Sequence, residues 1–289
     1  MTANTQLAAA SNRLLSAAVV RSVMEPGSCN RAASTAVSVL AELGMARGAG
    51  TMRTLMWRCY RWLARHHRND LIYRNAVVGQ MAPPSSGRIM QEAMINRSIV
   101  DYLVVSDSVH AIEIKSDLDG VSRLPAQLRD YRLAAPLVSL LGTQATVERF
   151  AEQQEFLTVG LSWLGDDGSV RTLRNPAYAP DLLDSVTMMR SLRQHEYLAI
   201  VEALNGPVPT LPNTKLFRYA RDITQSIDPV EYHRHFVGML NSRKPRLSQS
   251  VLSRVPAPVK PTVMKINPSR CEVDRLQCWL SRKVIDVPA

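Results

Sequence analysis

The tightest constraint in this chain is a pair of apolar runs facing each other across a polar turn. Ile99-Val100-Asp101-Tyr102-Leu103-Val104-Val105 leads into Ser106-Asp107-Ser108, and Val109-His110-Ala111-Ile112-Glu113-Ile114-Lys115 leads out of it. Both runs are rich in β-branched side chains and the connector holds turn-forming residues, which dictates a hairpin. Side chains alternate along a strand, so Glu113 and Lys115 project from one face of the second arm. Pairing about the turn sets Asp101 opposite or diagonal to Glu113, within side-chain reach. Two carboxylates and an amine would then converge at the end of an otherwise apolar sheet. Burying them uncompensated is expensive, and a divalent cation is the usual compensation.

The rest of the composition narrows the class of partner. A chain of 289 residues suits one large domain, or one domain with appendages. Its formal net charge is +10, with arginine far outnumbering the six lysines, of which Lys115 is the first. That balance favours a polyanion such as nucleic acid. Cys29, Cys59, Cys271 and Cys278 are scattered with no Cys-x-x-Cys pair, which argues against a structural zinc site and a disulfide framework. His233 and His235 with Cys271 and Cys278 fit no standard zinc spacing. No run of eighteen apolar residues is present, so no membrane span is expected. The first fifty residues are rich in Ala, Ser and Arg but lack a signal peptide's apolar core. They read as a helical lead-in to a soluble cytoplasmic protein. No Gly-rich phosphate loop appears, which disfavours ATP hydrolysis within this chain.

Taken in order, the pattern predicts helices over 6–24, 33–45 and 52–67, the last bearing Arg53, Arg58, Arg61 and Arg65. Such a face either tracks phosphates or is simply solvated. Pro83-Pro84-Ser85-Ser86-Gly87 marks a break, and a short helix over 88–96 would carry Glu92. After the hairpin come a helix over 122–134, a strand over 136–141, a helix over 144–153 and a second hairpin around Gly165-Asp166-Asp167-Gly168. A long helix over 181–204 and two more over 214–225 and 229–241 follow. Residues 242–270, rich in Pro, Ser, Arg and Lys, read as an extended basic tail, and 272–284 as an amphipathic stretch able to dock back. The order gives an α/β or α+β fold with helices packed on a mixed sheet.

Asp101, eleven intervening residues and then Glu113-Ile114-Lys115 resembles the core of the PD-(D/E)XK, or restriction-endonuclease-like, superfamily. Gln127-Leu128-Arg129-Asp130-Tyr131 is similar to the helix motif of its RecB-type branch. The run Glu113 through Asp119, with Arg97, Arg123-Leu124 and Met188–Leu192, resembles a bacterial group of small stand-alone nucleases, the "sce" family. One departure is Val100, where the superfamily often has proline. The resemblance is strong over 90–135 and extends over 135–240. It is absent before 80 and after 245, so the chain reads as a helical region over 1–80, a nuclease-like domain over 81–240 for which the resemblance implies a restriction-endonuclease-like core, and a basic Pro-rich tail with a short helix over 241–289.

What the resemblance implies chemically is metal-dependent hydrolysis of DNA in a bacterial or phage setting, for DNA processing or defence. Asp101, Glu113 and the Ile114 carbonyl would hold Mg²⁺ or Mn²⁺, which generates the nucleophile and stabilises charge on the phosphate. Lys115 would act on the attacking water or the developing charge. Glu92 would be an outer ligand or hold a second metal. Gln127 and Tyr131 would brace the site or touch the DNA backbone, and Arg97 and Arg123 would clamp phosphate. The motifs admit RNA as well as DNA, and a dimer as well as a monomer. The rival expectation is a DNA-binding or regulatory module that keeps the fold without cleaving.

Overall fold

The computed structural model describes residues 2–27, 31–81, 87–244 and 247–284. Its centre is a six-stranded mixed sheet in the order β1 (Arg88–Ile95), β2 (Ser98–Val105), β3 (Val109–Ile114), β4 (Leu137–Gly142), β5 (Gly160–Leu164) and β6 (Val170–Arg174). The two end pairs and β2–β3 are antiparallel; β3–β4 and β4–β5 are parallel. A parallel neighbour requires a crossover, and α6 (Leu124–Arg132) and α7 (Gln144–Ala151) supply the two that are needed. The expected α/β class therefore holds.

Each face of the sheet has its own apolar core. On one, Leu103, Val105, Ala111, Val138 and Leu140 meet Leu128 of α6, Phe150 of α7 and the helices α8 (Ser185–Arg190), α9 (Gln194–Asn205), α10 (Asn213–Thr224) and α11 (Pro229–Ser242). On the other, Tyr102, Val104, Ile112, Ile114 and Leu141 share a core with both ends of the chain. From the N-terminal side come α1 (Ala3–Leu14), α2 (Ala17–Met24), α3 (Arg31–Glu42), α4 (Met52–His66) and α5 (Asp70–Ala76), which runs on into a π-helical turn, Val77–Met81. From the C-terminal side come α12 (Gln249–Arg254), α13 (Lys260–Ile266) and α14 (Arg270–Ser281). Among the described residues no helix is long and apolar enough to cross a membrane.

Four expectations are corrected. The helix expected over 88–96 is strand β1, paired with β2 from Arg88↔Val105 to Ile95↔Ser98. Its Met, Gln, Glu and Ala favour helix, and pairing with an apolar neighbour overrides them. The single helix over 6–24 breaks at Leu15-Ser16, where the Ser16 hydroxyl accepts from the Val19 N–H and starts α2. The long helix over 181–204 is α8 and α9: the Asp184 carboxylate caps the first, and Glu196 accepts the Arg193 N–H at 2.7 Å to open the second. The extended basic tail is largely helical and packed, because Leu247, Val251, Val255, Val259 and Val263 recur every four residues and are all buried. Pro256, Pro258 and Pro261 fall at or before helix starts, where a missing N–H costs nothing. The 272–284 stretch does dock back as α14, burying Val273, Leu276, Trp279 and Leu280. The break expected at Pro83–Gly87 lies, up to Ser86, outside the described residues, as do Pro245, Arg246 and Cys29.

Candidate active site

The hairpin is paired from Val105↔Val109 to Tyr102↔Ile112, and Asp101 and Glu113 are the next positions out. Past that point β3 pairs with β4, Glu113 against Leu140 and Ile114 against Leu141. The Ile114 N–H, which would otherwise reach across to β2, donates to Asp101 Oδ2 at 2.9 Å. A side-chain carboxylate thus takes over where the backbone ladder of β2 and β3 ends.

Glu113 is 2% exposed and needs partners for its charge. Lys115, also buried, donates from Nζ to Glu113 Oε1 at 2.8 Å. Tyr131 approaches from α6 and donates its hydroxyl to Oε2 at 2.6 Å, with the Ile99 carbonyl as a second acceptor at 2.8 Å. Burial, then the Glu113 charge, pushes the Tyr131 phenol strongly upward, so it stays protonated and a donor. Gln127, one turn earlier, reaches the same hydroxyl at 3.4 Å, while its Oε1 is buried without a hydrogen-bond partner. The loop after β3 is pinned: Asp119 accepts from the Ser116 N–H and hydroxyl, and Asp117 accepts from Tyr73 and Arg68. Lys115 is held between that loop and the strand.

Asp101 is also held from α5. Arg74 Nη2 donates to Asp101 Oδ1 at 2.7 Å, and Arg74 Nε to Asp70 Oδ2 at 2.5 Å. Burial, and after it the nearby Glu113 charge, outweigh the opposing pull of Arg74 and the Ile114 N–H and raise the Asp101 pKa to about 6. Arg74 was not among the residues expected from the sequence. Its signal was there: Asn69 caps the helix that Asp70 opens, and Asp70 and Arg74 stand four residues apart on it.

Of the residues expected at the site, the structure brings Asp101, Glu113, Lys115, Gln127 and Tyr131 together. Glu92 sits on a strand rather than a flanking helix, with a positive φ of 53° at a break in the β1–β2 pairing. Its carboxylate bonds Lys265 of α13 at 2.5 Å, and its nearest tie to the acid pair is Arg74 at 3.9 Å. Arg97 and Arg123 line a neighbouring cleft of about 660 Å³ with Ser98, Ile99, Gln127 and Asp130. Asp130 of α6 accepts from Asn96 and Ser98 at 2.6 Å each, which fixes the β1–β2 turn against the helix.

Among the described residues no group of three or more His, Cys, Asp and Glu gathers as a metal cage. A cation here would rely on Asp101 and Glu113, with backbone oxygen and water completing the shell. The donor set fits that role. Asp70, Asp101 and Glu113 face the two cations Arg74 and Lys115, leaving one negative charge in excess, which agrees with the raised pKa of Asp101.

Residues 68–266, more than two thirds of the chain, match the sequence model of the family described as Bacteriophage P4 protein cII. No curated protein and no solved structure matches the chain.

Proposed function

We propose that this chain, which belongs to the bacteriophage P4 protein cII family, is a metal-dependent nuclease that hydrolyses DNA phosphodiester bonds. The observation that carries the reading is the meeting of Asp101, Glu113 and Lys115 where the β2–β3 ladder ends, with Tyr131 bonded to Glu113 from α6. On this reading the mixed sheet and its crossover helices are a restriction-endonuclease-like core. Asp101, Glu113 and the Ile114 carbonyl would hold Mg²⁺ or Mn²⁺, and the bound cation supplies a nucleophilic water and neutralises charge on the scissile phosphate. Lys115 presents an ammonium beside Glu113, where negative charge builds up. Tyr131 fixes the Glu113 carboxylate, and Gln127, which bonds the Tyr131 hydroxyl, also lines the cleft that Arg97 and Arg123 share. Those arginines give the cleft forked donors suited to backbone phosphates.

The test is incubation with plasmid and linear DNA, and with RNA in parallel, in Mg²⁺ or Mn²⁺. Wild type is expected to cleave DNA, and Asp101→Ala/Glu113→Ala to lose at least about a hundredfold in rate. Indistinguishable cleavage by the two proteins would end the enzymatic reading. Arg74 favours a second reading, a DNA-binding phage protein that keeps this fold without cleaving, because the guanidinium already neutralises Asp101. A Mn²⁺-dependent rise in melting temperature that Asp101→Ala abolishes separates the two, since only the nuclease has a cation to bind there.

A further inference from the structure

Arg74 stands among three acids. Nε and Nη2 are committed to Asp70 and Asp101, and Glu92 Oε1 stands 3.9 Å from Nη2 under the hold of Lys265. The guanidinium lies over the Tyr102 ring, 5.7 Å from its centroid. Its remaining terminal nitrogen, Nη1, is buried with no hydrogen-bond partner. A cavity of about 240 Å³ opens alongside, lined by Asp70, Arg74, Gln91, Lys265 and Asn12 among others.

We propose that Arg74 is a displaceable counter-ion, which occupies Asp101 in the resting protein and yields that carboxylate to a divalent cation. This rests on the nuclease reading of the acid pair. Asp101 gives Oδ1 to Arg74 and Oδ2 to the Ile114 N–H, so a cation that draws on Oδ1 meets the guanidinium's charge at that oxygen. Release does not strand Arg74. Asp70, one helical turn earlier, keeps Nε, Glu92 is close enough to take Nη2, and the adjoining cavity gives the side chain room to move. Glu113 keeps its bonds from Lys115 and Tyr131 in this exchange, and Asp101 is the carboxylate whose partner changes. Arg74 is thus a positioning residue that sets how tightly the site takes its metal.

Calorimetric titration of the full chain with Mn²⁺ tests this without reading catalysis. Arg74→Met is expected to bind Mn²⁺ at least about tenfold more tightly than wild type, and Asp101→Ala to abolish binding in either background. Arg74→Lys keeps the charge but cannot span Asp70 and Asp101 as the fork does, so its affinity should fall between the two. Wild-type binding with no gain in Arg74→Met overturns the exchange and leaves the nuclease reading standing. A gain in Arg74→Met with none in Arg74→Lys also overturns it, because the effect is then one of field strength. Absence of Mn²⁺ binding in all proteins overturns the exchange and the metal reading together. Should Arg74→Met fail to fold, Lys265→Met takes its place on a half-exposed side chain. Freeing Glu92 for Arg74 should tighten Mn²⁺ binding about threefold, and an unchanged or weaker affinity counts against the proposal.

Discussion

On one face of the sheet, α6 and α7 lie against the strands they connect; on the other, helices from the two ends of the chain meet across more than two hundred residues of sequence. Thr51 bridges to Lys283 and the Met52 N–H donates to the Arg282 carbonyl, so the ends are stitched together as well as packed. The candidate site lies between these two constructions. Glu113, Lys115, Tyr131 and Gln127 form its locally encoded half, spaced over one strand, one loop and one helix. Asp101, Arg74, Glu92 and Lys265 form its other half, which exists only when α5 and α13 have docked. The comparison teaches that charge balance at the acid pair depends on the assembly of the chain ends.

The largest effect should come from the core that joins those ends. Leu276→Ala on α14 is expected to cost about 2–5 kcal/mol in urea unfolding, as much as Leu128→Ala on α6. Both leucines are fully buried. A cost below about 0.5 kcal/mol at Leu276 would mean that the C-terminal helices are an appendage after all. Next, Tyr131→Phe removes the hydroxyl that serves Glu113 and should cost about 1–3 kcal/mol by leaving a buried carboxylate short of a donor.

A pH effect of intermediate size follows from two buried histidines. Burial lowers His110 on β3 and His233 on α11 from 6.5 to about 4. Their folded pKa values lie below the unfolded one, so their stability is fully present above pH 6.5 and is lost as pH falls toward 4. Asp101, raised to about 6, acts in the opposite sense over part of that window. Two histidines against one carboxylate predict a net loss of ~2 kcal/mol between pH 6.5 and 4, measurable by denaturant melts across that range. His233→Phe should flatten the curve, and an unchanged profile would show that the imidazole is not held neutral.

The smallest effect on stability belongs to α4. Arg58 donates to the carbonyls of Arg47 and Gly48, Arg53 bonds Gln277, and Arg68 bonds Asp117. Arg61, whose guanidinium lies 5.9 Å from the Trp57 ring centroid, and Arg65 are the exposed arginines of α4. Arg61→Ala/Arg65→Ala should leave the melting temperature unchanged while lowering the salt slope of DNA binding by about 2. An unaltered slope would make the face merely solvated.

Legibility in the sequence followed the range of the interaction. The hairpin of β2 and β3, the α6 motif and the β5–β6 turn were readable because strand alternation and helical spacing are set by neighbours. Glu92 was misplaced because its segment is built of helix formers and becomes a strand only by pairing with β2. Helices α12 and α13 were missed because Pro256, Pro258 and Pro261 obscured an apolar repeat of four. Arg74 escaped because its partners, Asp101 and Glu92, lie 27 and 18 residues away in sequence.

By itself, then, the sequence determined that two acids and a lysine would meet at the end of one hairpin, because pleat and turn geometry leave those side chains little choice. Only the tertiary structure decided what neutralises them. Lys115 and Tyr131 hold Glu113, while a guanidinium from a separate helix holds Asp101. The reason is physical: backbone periodicity is fixed by adjacent residues, whereas the energy of a buried charge is set by whatever group the completed fold brings within hydrogen-bonding distance.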